Sequence, residues 1–172
     1  MVIIPKINVE IPVIYDASDV VNATNAKDLE DGIQKTLEKG VVHYPETSFP
    51  GEKGNVAIVG HSSNNIFNQG KYKFAFVLLS KLDEGDTFYL TRNKVRYTYK
   101  IFQKKIVSPT DVSVLSDKGN KSTATLITCD PPGTSLNRLV VVGEQISPDP
   151  KQNSKPETKN NSPIVETVPG NA

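Results

Sequence analysis

Only one stretch of this chain has a helical period; its other apolar residues come in short runs cut off by proline, glycine and polar turn residues. Leu29, Ile33 and Leu37 recur at every fourth position between polar residues, which predicts one amphipathic helix of about three turns. Gly40 follows where a left-handed C-terminal cap would sit. Elsewhere the pattern is that of strands. Residues 7–11 alternate apolar and polar between Pro5 and Pro12, as strands near a sheet edge do. After a loop at 51–54, residues 56–59 read as a buried strand that delivers His61, and a loop of Ser62, Ser63, Asn64 and Asn65 then exits. Residues 86–90 and 95–102, joined by a turn at Arg92, Asn93 and Lys94, predict a hairpin. The run at 74–79 has no decisive period and is read as irregular. A polar connection carrying Pro109, Asp111, Asp117 and Gly119 leads to 125–129, and Pro131, Pro132 and Gly133 turn the chain into 139–142. Many short strands with one helix predict an all-β barrel or sandwich.

At 172 residues the chain suffices for one domain with a sizeable core and a tail. From residue 148 onward proline, lysine, asparagine, serine and threonine dominate, and such a segment cannot bury enough apolar surface to fold. The expected organisation is a domain at 1–147 and a disordered linker or tail at 148–172, dispensable for catalysis. A formal net charge of +1 removes the electrostatic case for nucleic-acid binding. No apolar run approaches the roughly 20 residues needed to span a bilayer, so the chain is expected to be soluble as given.

The single cysteine excludes an internal disulfide framework and a multi-cysteine zinc site, and leaves a thiol that needs a use. Cys129 closes the run Thr125-Leu126-Ile127-Thr128-Cys129, and Arg138 follows nine residues later at the head of Leu139-Val140-Val141-Val142. His61 ends the run Asn55-Val56-Ala57-Ile58-Val59-Gly60, a matching strand end that offers a base. The other histidine, His43, stands before Tyr44-Pro45-Glu46 and is assigned a solvated surface role. If Leu126 and Leu139 point into the core, then Ile127, Cys129 and Arg138 share a groove on the outer face. The alternative is a non-catalytic β-barrel binding module with a buried structural Cys129 and a satisfied His61.

The TLITC pentapeptide, the arginine heading a valine-rich strand and the upstream GNVAIVGHSS together resemble the sortases, cysteine transpeptidases of Gram-positive-type cell envelopes. The resemblance covers roughly residues 3–147 and implies a closed β-barrel of about eight strands with one or two short helices. Carried over residue by residue, it implies His61, Cys129 and Arg138 as catalytic residues and Thr128 as a lining of the substrate groove. It further implies cleavage of an LPXTG-type sorting signal between Thr and Gly, a thioester on Cys129, and resolution by an amine. That amine belongs to a peptidoglycan precursor or a pilin lysine, with hydrolysis as a side path. Attack requires the thiolate, which His61 can partner as an imidazolium before protonating the leaving amine. Arg138 offers fork-like donors to an oxyanion or to bound substrate.

Membrane attachment on the outer face is likewise implied, through an anchor absent from this chain. A spacer after the barrel leads to the expectation of an anchor beyond Ala172, an anchor ahead of Met1 being the alternative. Some relatives hold calcium with acidic loop residues; Glu46, Glu52, Asp111 and Asp117 lie in suitable loops, but their spacing is unlike an EF-hand and no cofactor is expected. The Cys-Gly-rich motif of papain-like hydrolases and the His-Gly-Cys tripeptide of L,D-transpeptidases do not occur. The link 130–137 is short, and no subclass is assigned. Residues 165–170, Val-Glu-Thr-Val-Pro-Gly, lack the leucine-proline opening and threonine-glycine junction of a sorting signal, so self-cleavage is not expected.

Overall fold

The computed structural model describes residues 1–62, 71–156 and 167–168; Ser63, Asn64 and Asn65 and most of the tail beyond 156 lie outside the described residues. Among the described residues nine strands form one sheet: β1 (Val2–Ile4), β2 (Val9–Ile11), β3 (Val13–Ile14), β4 (Val41–His43), β5 (Asn55–Val59), β6 (Thr87–Arg92), β7 (Val95–Val107), β8 (Thr123–Asp130) and β9 (Asn137–Ser147). Their order is β2-β1-β6-β7-β9-β8-β5-β4-β3. The two strands at opposite ends of that order, β2 and β3, are separated in the chain by Pro12 alone. The sheet must therefore curl until its ends nearly meet, and the result is an almost closed barrel. Proline suits the seam, because a residue between two edges has no ladder bond to donate.

The β6–β7 hairpin turns through Asn93 and Lys94, both at positive φ (50° and 64°), the backbone that a two-residue hairpin loop with matching twist requires. Residues 74–79 are irregular, as expected, and lead into a single 3₁₀ turn at Leu79–Lys81. They drop Phe76 and Leu79 fully into the barrel.

Two helices cross the connection between β3 and β4: α1 (Ser18–Val21) and α2 (Ala26–Leu37). Asn25 caps α2, its side-chain oxygen accepting from the Asp28 amide at 2.9 Å. The expected stripe Leu29, Ile33 and Leu37 is the buried face of α2. Gly40 is not a left-handed cap; Glu38 ends the helix in a right-handed conformation. What requires glycine at 40 is close approach, since a Cβ there would stand 2.4 Å from the Pro12 carbonyl oxygen.

The core is double. Inside the barrel lie Ile58, Phe76, Phe88, Leu90, Leu126 and Val141; outside it, beneath α2, lie Leu29, Ile33, Leu37, Val59, Ile127 and Val140. Strands β5, β8 and β9 are thus buried on both faces, which is why their sequences are nearly continuous apolar runs.

The chain stays on the barrel past the boundary expected at 147. Asn153 is buried, its amide donating to Gln145 Oε1 (2.9 Å), Ser122 Oγ (3.0 Å) and Glu52 O (3.1 Å), while Gln145 donates back to Asn153 Oδ1 (3.1 Å). Ser154 exchanges backbone bonds with Gly51 and Lys53. Composition hid this attachment because it is made of polar groups satisfying one another, with little apolar area. Asn153→Ala strips three buried groups of a partner and should cost about 2–3 kcal/mol. Calorimetry is expected to show a thermal midpoint lowered by roughly 5–10 °C; an unchanged midpoint would mean that this network does not hold the segment.

Candidate active site

The parallel ladder between β5 and β8 pairs Asn55 with Thr123 and runs in register to Val59 with Ile127. The register persists past the end of β5, for the Gly60 amide donates to Ile127 O at 3.0 Å and Thr128 Oγ1 donates to Gly60 O at 2.7 Å. Continued one residue further, that register sets His61 level with Cys129. On the other side of β8, Cys129 is the direct antiparallel partner of Arg138. The three sequence-predicted catalytic residues therefore form one row across three neighbouring chain segments, each step about 4.8 Å.

They also share a face. Ala57 and Val59, Ile127, and Val140 and Val142 all pack in the outer cluster, and side chains two residues apart on a strand point the same way. By that alternation Cys129 and Arg138 project to the outer face, the one the sequence pattern gives them, and the same rule carried on from Ala57 and Val59 sends His61 there too. All three are largely covered, with 5 %, 2 % and 5 % of their surfaces exposed. His61 is fixed from behind as well, its carbonyl accepting from the Phe76 amide at 2.8 Å. This packing demands glycine at 60, where a Cβ would come within 2.5 Å of the Phe76 ring.

Arg138 Nη1 donates to the carbonyls of Ser135 (3.2 Å) and Asn137 (3.0 Å), so the short link before β9 orients the guanidinium. Its Nε donates to the carbonyl of Val168 at 2.9 Å, which brings a tail residue into the site. Burial pushes the Cys129 thiol above its ordinary range; the Arg138 charge pulls against that shift and the Glu30 carboxylate, on α2, adds to it. At neutral pH the thiol is the prevailing form, and the thiolate fraction grows as pH rises.

Thr128 does not line the groove. Alternation sends its side chain to the face opposite Cys129, where it is buried and bonded to Gly60 O, so it holds the histidine segment in register. His43 is not on the surface either: it lies on β4 opposite Ile58, 2 % exposed, with Nε2 3.0 Å from Ser48 O and its ring stacked on Phe49 at 4.5 Å. Val41 on the same face of β4 packs inside the barrel, which puts His43 on the side of the sheet away from Cys129.

Sequence reasoning missed Asn55. Fully buried, it accepts from Thr123 Oγ1 (2.8 Å) and Thr125 Oγ1 (2.7 Å) and donates to the carbonyls of Val114 and Leu115 (both 3.2 Å), tying the 108–122 connection to the site's face. The signal was there: three polar residues sit on the same face of two strands that are otherwise apolar. Of the carboxylates considered for calcium, Glu52 accepts from the Phe49 amide, Asp117 from the Asn55 amide and Asp111 from Ser113. Among the described residues no three His, Cys, Asp or Glu side chains gather as metal ligands would.

A family model described as the sortase domain matches residues 2–146. Among curated proteins, sortase D of Bacillus subtilis (strain 168) is 30% identical over 147 residues, 84% of this chain and 62% of the relative. Sortase SrtE1 of Streptomyces coelicolor is 29% identical over 168 residues, 90% of this chain and 42% of the relative. The chain thus spans less than two thirds of the length of either. Among solved structures, the pilus-related sortase C of Group B Streptococcus superposes with a TM-score of 0.67 at 30% identity, covering 86% of this chain and 66% of that one. Sortase C-1 of Actinomyces oris gives 0.66 at 27% identity, covering 84% and 72%.

Proposed function

The chain belongs to the sortase family, and from that premise we propose that it is a cysteine transpeptidase that cleaves an LPXTG-type sorting signal and passes the acyl fragment to an amine. The observation that carries this reading is the single row of His61, Cys129 and Arg138 on one covered face of the sheet. In the proposed reaction Cys129 Sγ, as thiolate, attacks the carbonyl carbon of the signal's threonine. The C–N bond to glycine breaks, and the departing amine takes a proton from His61. A thioester remains on Cys129. The incoming amine attacks it and surrenders a proton to His61 as the C–S bond breaks, so that Cys129 leaves as the thiolate and the starting pair is restored. Arg138 holds the carbonyl oxygen, on which negative charge grows in each step.

The proposed acceptor is a peptidoglycan precursor's cross-bridge amine or a pilin lysine, with water as the slow competitor, and the proposed setting is the outer face of the cell membrane. No helix of the described residues is long and apolar enough to cross a membrane. No cofactor is proposed. The test is incubation with a library of sorting-signal peptides and an amine, read by mass spectrometry. An amine-capped N-terminal fragment is expected, in equal yield with and without a chelator. No cleavage of any signal would overturn the reading, and loss of yield on chelation would overturn its metal-free part.

Arg138→Lys is expected to lower kcat by about 100-fold, the scale of losing one oxyanion donor, with KM nearly unchanged, because a point ammonium cannot reproduce the fork of the guanidinium. Full activity in that variant, measured by steady-state kinetics on the best library peptide, would show that positive charge alone suffices.

A further inference from the structure

Beyond 156 the structure describes Thr167 and Val168: Thr167 is exposed, whereas Val168 is completely buried, in the outer cluster with Ile127 and Val140. Those two side chains are the next ones along the same strand faces from Cys129 and Arg138. Both backbone groups of Val168 are engaged, its carbonyl accepting from Arg138 Nε at 2.9 Å and its amide donating to the carbonyl of Pro109 in the 108–122 connection. An extended peptide bound in a groove is held in just this way, main-chain groups paired and an apolar side chain in a pocket. We infer that the tail segment at Thr167 and Val168 is an intramolecular occupant of the sorting-signal groove, competing with substrate for Arg138 and for the pocket.

The occupant matches the groove without being a substrate. Thr167 is followed by Val168 where a sorting signal has glycine, so the threonine-glycine junction is absent. The guanidinium nitrogen that bonds Val168 cannot at the same time hold a substrate carbonyl, and the valine fills apolar space that a signal side chain would need. Tethering makes the competition effective. The tail is fastened to the barrel at Asn153 and Ser154, and a link of about 14 residues, with a reach of at most ~46 Å, keeps the segment at an effective concentration in the millimolar range. Even a weak segment then occupies the groove much of the time. The identity of the displaced substrate rests on the transpeptidase reading; the seating of Val168 against Arg138, Ile127 and Val140, beside Cys129, does not.

The experiment compares the full chain, a truncation after Pro156 that keeps the Asn153 network, and the full chain with Val168→Asp, which disfavours burial of that side chain. Two quantities are measured on folded protein: kcat and KM for the best library peptide, and the rate of Cys129 alkylation by iodoacetamide. Both variants are expected to show a KM about tenfold lower at unchanged kcat, and alkylation about tenfold faster. A synthetic peptide of residues 161–172 added to the truncated chain should inhibit competitively. Should the truncation fail to fold, the Val168→Asp chain decides. Unchanged KM and unchanged alkylation in a folded variant would overturn the inference. If no form cleaves any signal peptide, faster alkylation still upholds the occlusion, and the failure then belongs to the proposed reaction alone.

Discussion

Cys129→Ala is expected to abolish cleavage of every sorting-signal peptide while leaving the barrel folded. The substitution removes the only thiol, and with it both the nucleophile and the atom that carries the acyl group between the two half-reactions, so no other residue can take over its role. Its structural cost is small, one sulfur lost from a site already lined by Ile127 and Val140, and a shift of the thermal midpoint of no more than a few degrees is expected. Turnover near that of the unaltered chain, measured on the same peptide, would return Cys129 to the role of buried structure and favour a binding module.

His61→Ala is expected to reduce kcat by about 100-fold to 10,000-fold, the usual contribution of a positioned general acid. The pH dependence separates this loss from a packing defect. With His61 present the rate requires both a thiolate and a protonated imidazole, so the profile is bell-shaped. Without it only the thiol ionisation remains. Burial raises the Cys129 pKa, so the thiolate form is scarce below the ordinary thiol range and accumulates above it; the variant's residual rate should therefore climb steadily with pH across that range. A variant that keeps both the full rate at neutral pH and the bell would exclude His61 from proton transfer.

The candidate site could be picked out in the sequence because its residues lie at strand ends. His61 and Cys129 each terminate an apolar run, and alternation from Leu126 and Leu139 placed Cys129 and Arg138 on one outer face, where the register puts them. The same rule, applied one residue back, sends Thr128 to the other face; its assignment to the groove came from motif position instead. His43 escaped because the residues after it are polar, whereas β4 itself is buried on both sides and stacks the imidazole on Phe49. Gly40 looked like a helix cap because sequence shows position along a helix and not the Pro12 carbonyl that crosses it. The tail was the least legible part. Asn153 is held by the Glu52 carbonyl, the Ser122 hydroxyl and the Gln145 amide rather than by apolar packing, and Val168 is a single apolar residue in a polar stretch, so neither leaves the periodic trace by which buried segments are recognised.

The acyl-enzyme is the most direct measure of the central claim, because it forms only if Cys129 is the nucleophile in a peptide-bond cleavage. The full chain, incubated with its best signal peptide in the absence of amine and quenched in acid, is predicted to gain the mass of the peptide's N-terminal fragment. Peptide mapping should place that mass on Cys129, and hydroxylamine should release it. Cleavage of the peptide at an undiminished rate with no such adduct, or with the adduct on another residue, would contradict the account.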